Sequence, residues 1–253
     1  MYTPGLVSVT FRKLPPGEIL ALMAQTELRA IEWGGDVHVP DALRAAEVRK
    51  MSADAGVTAA SYGSYYRCGE EEAFGPVLHA AVALGAPNIR VWAGNIGSFE
   101  ADAAYREKVA ADARMVTAMA MSEGLTISFE FHGGTLTDTM ASTLSLLTAA
   151  ETPGLATYWQ PPQGSRMENN LAALDALMPH ISNVHCFEWR CANGEIIRRP
   201  FAEGEAHWAV YFQKLKEANK TGYAFLEFVR NDDPKQFIDD AAALCALLKG
   251  CNA

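Results

Sequence analysis

Cysteine is sparse in this sequence and follows no pairing pattern. The five thiols, Cys68, Cys186, Cys191, Cys245 and Cys251, are odd in number, and no two stand at C-x-x-C spacing. That spacing excludes a disulfide framework and a zinc cage and leaves buried or idle thiols in a reducing compartment. Positive charge is outweighed, with 21 Lys and Arg against 30 Asp and Glu for a formal charge of -9. A basic face for nucleic acid is therefore not expected. No apolar run reaches the ~18 residues of a membrane span. The opening "MYTPGLVSVTF" lacks a basic leader and a long apolar stretch, and it reads as a first strand, not a signal peptide. A cytoplasmic protein is the expectation. The first strand is followed by "RKLPPGE", without the G-x-G-x-x-G of a dinucleotide site. Internal repeats, low-complexity tracts and linkers are also missing, so residues 1–253 are expected to form one domain.

What is present is a regular alternation. Short β-branched or aromatic runs at 6–11, 28–34, 57–62, 88–93, 125–131, 155–160, 181–187 and 223–229 are strand candidates. Stretches of helical period at 17–26, 41–55, 73–85, 101–123, 138–150, 168–178, 206–219 and 234–249 lie between and after them. Gly56, Gly85 and Gly124 stand at helix stops, Pro234 at a first turn and Asp41 at an N-cap. Eight strands alternating with eight helices predict an α/β protein with a parallel sheet, and eight closes into a (β/α)8 TIM barrel. The segment 189–206 contains Asn-Gly between extended runs and predicts a small hairpin.

Active sites of such barrels sit at the C-terminal ends of the strands. In "TISFEFH" Ser128, Glu130 and His132 share one face, and Ile127, Phe129 and Phe131 share the other. The apolar face suits the helix layer, which turns Glu130 inward. The eighth strand repeats this with Phe225 and Glu227, the seventh offers Asn183, His185 and Phe187, and the sixth ends in Gln160. Four consecutive strands thus bring Glu130, Gln160, His185 and Glu227 to the rim. Neighbouring strands are roughly 4.8 Å apart, so one ion is within reach of all four. Two carboxylates, an imidazole and an amide carbonyl suit Mg, Mn or Co, and Zn less well. A cation also offsets the cost of burying neighbouring carboxylates.

"ISFEFHGGTLTDT", "VHCFEW" and "YAFLEFVRNDDP" resemble the xylose-isomerase-like TIM-barrel superfamily, in particular its sugar phosphate isomerase/epimerase group. The resemblance implies metal ligands at Glu130, Gln160, His185 and Glu227. It also makes Glu130 and Glu227 the proton-transferring pair of an isomerase or epimerase acting on a sugar, sugar phosphate or keto-polyol through an enediolate. The family's sixth-strand pattern is Asp-x-x-His; here it reads Gln160-Pro-Pro-Gln163, two amides in place of the charged pair. Gln163 is a candidate to replace the lost His toward substrate. Arg90 and Trp92 share a face of the fourth strand, at the pocket by resemblance, with a salt bridge and simple packing as the alternative. His132 stands beyond Glu130 on the same face. His38 reaches either the barrel mouth or the surface, and the tyrosines of 61–69 are read as a loop. Arg198 and Arg199 follow the predicted hairpin, in a region where relatives place a substrate-binding Arg; a solvated basic pair is the alternative.

The same machinery would serve a carbohydrate lyase or dehydratase, and the loss of the Asp leaves open a non-catalytic, degenerate barrel. A nuclease of the superfamily needs several zinc ions and more His ligands than six. The expected partner is a small carbohydrate, with neither nucleic acid nor membrane. A homo-oligomer is expected by analogy with relatives that dimerise.

Overall fold

The computed structural model describes residues 1–192 and 194–252. The parallel strands β1 (Tyr2–Val7), β2 (Ala30–Gly34), β3 (Thr58–Arg67), β4 (Asn88–Trp92), β5 (Thr126–Phe129), β6 (Leu155–Trp159) and β7 (Ile181–Cys186) pair in chain order. A last strand, β10 (Gly222–Leu226), pairs with both β7 and β1 and closes the barrel. Outside it, β8 (Glu188–Ala192) and β9 (Glu195–Arg199) form an antiparallel hairpin. The helices are α1 (Pro16–Met23), α2 (Ala42–Asp54), α3 (Phe74–Leu84), α4 (Ala103–Ser122), α5 (Met140–Ala150), α6 (Met167–Leu177), α7 (Glu205–Glu217) and α8 (Pro234–Asn252). This is the predicted (β/α)8 architecture.

The helix signals act as the sequence suggests. Asp41 accepts a hydrogen bond from the Arg44 backbone N–H at 2.8 Å, and Gly85 ends α3 with φ +74°. Pro234 opens α8, where its missing N–H costs nothing. Among the described residues no helix is long and apolar enough to cross a membrane. All five cysteines are free.

Two boundaries differ from expectation. The first strand was predicted at 6–11 but runs Tyr2–Val7, and Ser8–Phe11 form a 3-10 turn. Ser8 ends the strand: its hydroxyl accepts from the Gly34 N–H at 2.8 Å and meets His38 Nδ1 at 2.9 Å. Pro4 and Gly5 lie within β1, where the barrel is tight; a Cβ on Gly5 would sit 2.8 Å from both the Ala30 carbonyl and the Phe225 ring. The tyrosine-rich stretch is a strand, not a loop, for β3 runs on to Arg67. Tyr62 donates to the Val39 carbonyl and Tyr66 to Asp112, so both rings leave the barrel mouth. The hairpin expected within 189–206 is present as β8 and β9, and Arg198 and Arg199 lie inside β9, paired with Trp189 and Glu188, where they were expected to follow the hairpin; Asn193 of its Asn-Gly turn lies outside the described residues.

Apolar side chains divide between two layers. The large cluster, with Ile31, Trp33, Ile89, Phe129, Trp159, Val184 and Leu226, lies between sheet and helices. Inside the barrel a small cluster of Val7, Ala30, Ala60, Tyr158 and Phe225 fills the lumen. Beside it runs a polar chain: Asn88 Nδ2 donates to Ser128 Oγ, which meets Ser182 Oγ, both at 2.9 Å. The lumen is thus partly hydrogen-bonded, and its upper end passes directly into a charged cluster.

Candidate active site

Glu130 stands one residue past β5 but keeps strand geometry, its N–H donating to the Val91 carbonyl at 2.9 Å. Glu227 stands one residue past β10 and is tied likewise to the Cys186 carbonyl at 2.9 Å. His185 lies within β7, level with Phe225, and Gln160 follows β6. The alternation that sends Phe129, Trp159 and Leu226 to the helix layer therefore sends these four side chains inward. All four are buried. One ligand atom from each of Glu130, His185 and Glu227 lies within 4.8 Å of the others. His185 Nδ1 is 3.0 Å from Gln160 Oε1, 3.4 Å from Glu227 Oε2 and 3.9 Å from Glu130 Oε1. The structure brings together all four sequence-predicted metal ligands.

Sequence reasoning missed Glu32. It stands on β2, fully buried, between Ile31 and Trp33. Its Oε1 accepts from Arg90 Nε at 2.8 Å and lies 3.6 Å from His185 Nε2. Its Oε2 accepts from the Tyr158 hydroxyl at 2.8 Å. The signal was available: "IEW" sets an acid between apolar neighbours at a strand end, as "FEF" and "LEF" do. Arg90 also donates through Nη1 to Glu130 Oε2. The salt-bridge alternative for Arg90 is thus realised, but inside the site.

These contacts set the charges. Burial pushes Glu32 up, and the Arg90 charge with the nearby His185 overrides it, holding the carboxyl at about 2. Burial works against the Arg90 charge, yet Glu130 and Glu32 raise its pKa above the usual value. Burial likewise opposes charge on His185, and Glu227, Glu32 and Glu130 raise it. Glu227 is raised to about 7, first by burial, with Glu130 adding and His185 opposing.

A divalent cation fits this set. Glu227 Oε2 is buried without a hydrogen-bond partner among the described residues, and Arg90 offsets only Glu32 and Glu130. The uncompensated carboxylate thus faces an imidazole nitrogen and an amide oxygen, donors suited to a hard or borderline cation.

Above the cluster, one cleft of about 600 Å³ is lined by Tyr65, Arg90, Trp92, Glu130, His132, Arg198, Glu227 and Phe228, among others. A second, about 460 Å³, adjoins it through His132 and Phe228 and is lined by Gln160, Gln163 and Trp189. The Trp92 and His132 rings lie against each other, tilted by 33° with centroids 4.6 Å apart. Phe228 carries φ +54°, unusual for an aromatic residue, and this sharp turn after Glu227 aims its ring into the cleft. Arg198, paired with Asp232, lies over the Phe228 ring at 4.9 Å. Arg199 instead pairs with Glu203 and lines neither cleft. His38 is buried against Ser8 and Trp33 and also lines neither.

The fold has close parallels at low identity. A probable 3-DHS dehydratase, AsbF of Bacillus anthracis, superposes with a TM-score of 0.78 at 18% identity, over 97% of this chain and 99% of that one. A xylose isomerase-like TIM barrel protein of Mycobacterium smegmatis, solved with magnesium, gives 0.77 at 14%, over 100% and 98%. D-psicose 3-epimerase of Clostridium cellulolyticum H10, solved with D-tagatose, gives 0.69 at 14%, over 98% of each. No curated protein matches by sequence. The family model described as a xylose isomerase-like TIM barrel matches residues 20–247, and the chain belongs to that family.

Proposed function

We propose that the protein is a divalent-metal-dependent isomerase or epimerase that moves a proton on the carbon beside a carbonyl of a sugar, sugar phosphate or related keto-polyol. One observation carries this reading: Glu130, His185 and Glu227 converge within 4.8 Å at the floor of an open cleft, with the Gln160 carbonyl beside them. Glu130, Gln160, His185 and Glu227 would hold the ion, with Mg, Mn or Co favoured over Zn. When bound, the ion supplies Lewis-acid polarisation of the substrate oxygens. The chain supplies the proton transfer. Glu130 and Glu227 reach in from β5 and β10, with β6 and β7 between them, so two carboxylates address the substrate from different directions. Glu227 holds its proton to about pH 7, the range in which a carboxyl both gives and takes one under neutral conditions. Arg90 pairs with Glu130 Oε2 and so fixes the orientation of that carboxylate. Trp92, Tyr65, His132 and Phe228 provide apolar ring faces against sugar C–H groups and exclude water, and Gln163 and Arg198 offer polar contacts at the rim.

The test is a panel of ketoses in deuterated solvent with Mg, Mn or Co. The expected result is metal-dependent deuterium uptake at the carbon beside the carbonyl, lost by at least 100-fold in Glu130→Gln and Glu227→Gln. Uptake that persists in Glu130→Gln removes Glu130 from the chemistry. A dehydratase is the second reading, supported by the likeness to a protein named a dehydratase. Appearance of enone absorbance in place of isotope exchange would favour it.

A further inference from the structure

Glu32 has no place in the metal set, yet it touches both groups that shape it. Its carboxylate is fully buried on β2, and its two oxygens have separate duties. Oε2 is fixed by the Tyr158 hydroxyl, which is itself 2.7 Å from Ser61 Oγ, so the carboxylate is not free to swing. Oε1 takes the Arg90 Nε–H and faces His185 Nε2 at 3.6 Å. That nitrogen is buried and has no hydrogen-bond partner among the described residues.

The other imidazole nitrogen makes this contact consequential. Nδ1 is the atom that faces Gln160, Glu227 and Glu130. A neutral imidazole carries one proton and one lone pair. With the proton on Nδ1 it donates to Gln160 Oε1, and the lone pair, on Nε2, points away from Glu130 and Glu227 and at the Glu32 carboxylate. With the proton on Nε2, the lone pair faces the centre and the N–H faces Glu32. An amide at position 160 accepts an Nδ1 proton or, turned over, donates to a bare Nδ1, so Gln160 does not choose between the two forms. Glu32, whose two oxygens accept from the Arg90 guanidinium and the Tyr158 hydroxyl, acts as an acceptor. The same oxygen anchors Arg90, whose Nη1 occupies Glu130 Oε2 and leaves Oε1 toward His185.

We propose that Glu32 is the positioning residue of this centre: it holds His185 with Nε2 protonated, so that Nδ1 offers its lone pair, and through Arg90 it sets the orientation of Glu130. The inference rests on the metal-centre reading above for its consequence, but the tautomer it assigns exists without any ion. Partners of this kind, behind a ligating histidine, typically change metal affinity by about 10- to 100-fold.

The test uses the full chain and the isosteric variant Glu32→Gln. Calorimetric Mn²⁺ titration is expected to show affinity falling by about 10- to 100-fold. Independently, long-range ¹H–¹⁵N spectra of the chelator-treated, ¹⁵N-histidine protein at alkaline pH are read for the His185 signal, identified by its loss in His185→Asn. The wild type is expected in the Nε2–H form, and Glu32→Gln shifted toward Nδ1–H. If the tautomer stays the same in Glu32→Gln, Glu32 is a structural residue and the proposal is overturned, even where the melting temperature falls. If the wild type binds no Mn²⁺, the metal reading fails while the spectra still decide the role of Glu32. Should Glu32→Gln not fold, Glu32→Asp, which keeps the charge but withdraws it by one methylene, is expected to give a mixed tautomer; a pure wild-type Nε2–H signal there overturns the proposal.

Discussion

Gln160 and Glu227 decide how strongly the centre holds a cation. The amide contributes an oxygen but no charge, so Glu130 and Glu227 are the two anionic donors in the set, and Glu130 is already shared with Arg90. Gln160→Glu keeps the reach and adds a charge, and calorimetry is expected to show Mg²⁺ or Mn²⁺ bound at least 10-fold more tightly. A weaker affinity would mean that repulsion from Glu227 outweighs the gain. Glu227 sets the pH dependence. Its folded pKa of about 7 lies above the ordinary 4.5, so the protonated form is the one favoured by burial. In metal-free protein this contribution to stability is complete below about pH 4.5 and is lost as pH rises through about 7. A cation needs the ionised carboxylate, so binding below about pH 7 expels a proton. Metal affinity is expected to fall by about 10-fold per pH unit on acidification below that point and to level off above it. Titration in buffers of different ionisation enthalpy counts the protons; affinity that is flat from about pH 5 to 8 would place the ion away from Glu227.

At the scale of elements, β3 makes room for the buried ion pair. A Cβ on Gly63 would lie 2.8 Å from Glu32 Oε1 and 2.9 Å from Arg90 Nη2. Gly63→Ala is therefore expected to cost about 1–3 kcal/mol in denaturant unfolding and to weaken metal binding together with it, because Glu32 and Arg90 must shift. A change in stability with no change in affinity would show that the pair relaxes without disturbing Glu130. The legible part of the fold was the period. Acid between apolar residues in "FEF" and "LEF" assigned both inward carboxylates, and His185 and Gln160 followed from their place on successive strands. Other features depend on contacts that sequence spacing does not encode. β1 begins early, at Tyr2, and holds Gly5 where only a residue without a side chain fits against Ala30 and Phe225. The tyrosines of β3 belong to a strand because the Val39 carbonyl and Asp112 receive two of them. Arg198 and Arg199 are adjacent in sequence, yet strand alternation gives one to Asp232 at the cleft and the other to Glu203. Glu32 carried the same pattern as the ligands, but on β2, far from them in chain order; only barrel closure brings it beneath His185.

Closure makes the site a property of the whole molecule. Its charged groups come from β2, β4, β7 and the ends of β5 and β10, and the barrel holds them together only when β10 pairs with both β7 and β1. An unfolded chain scatters these donors along its length, so a cation binds the folded state and stabilises it by mass action. At 100 times its dissociation constant the gain is about 2.7 kcal/mol. For a chain of this size each kcal/mol is worth about 2–4 °C, so the melting temperature should rise by about 5–10 °C on adding saturating Mn²⁺ and return on chelation. The rise should grow with the logarithm of ion concentration, and Glu130→Gln and Glu227→Gln should each flatten it. Hydrogen exchange should slow across β2, β4, β5, β7 and β10 together, since all of them are joined through the ion and the Glu32–Arg90–Glu130 contacts. Protection confined to one loop, or a melting temperature indifferent to Mg²⁺, Mn²⁺ and Co²⁺ at millimolar concentration, would mean that the closed barrel does not gather these side chains around a shared cation.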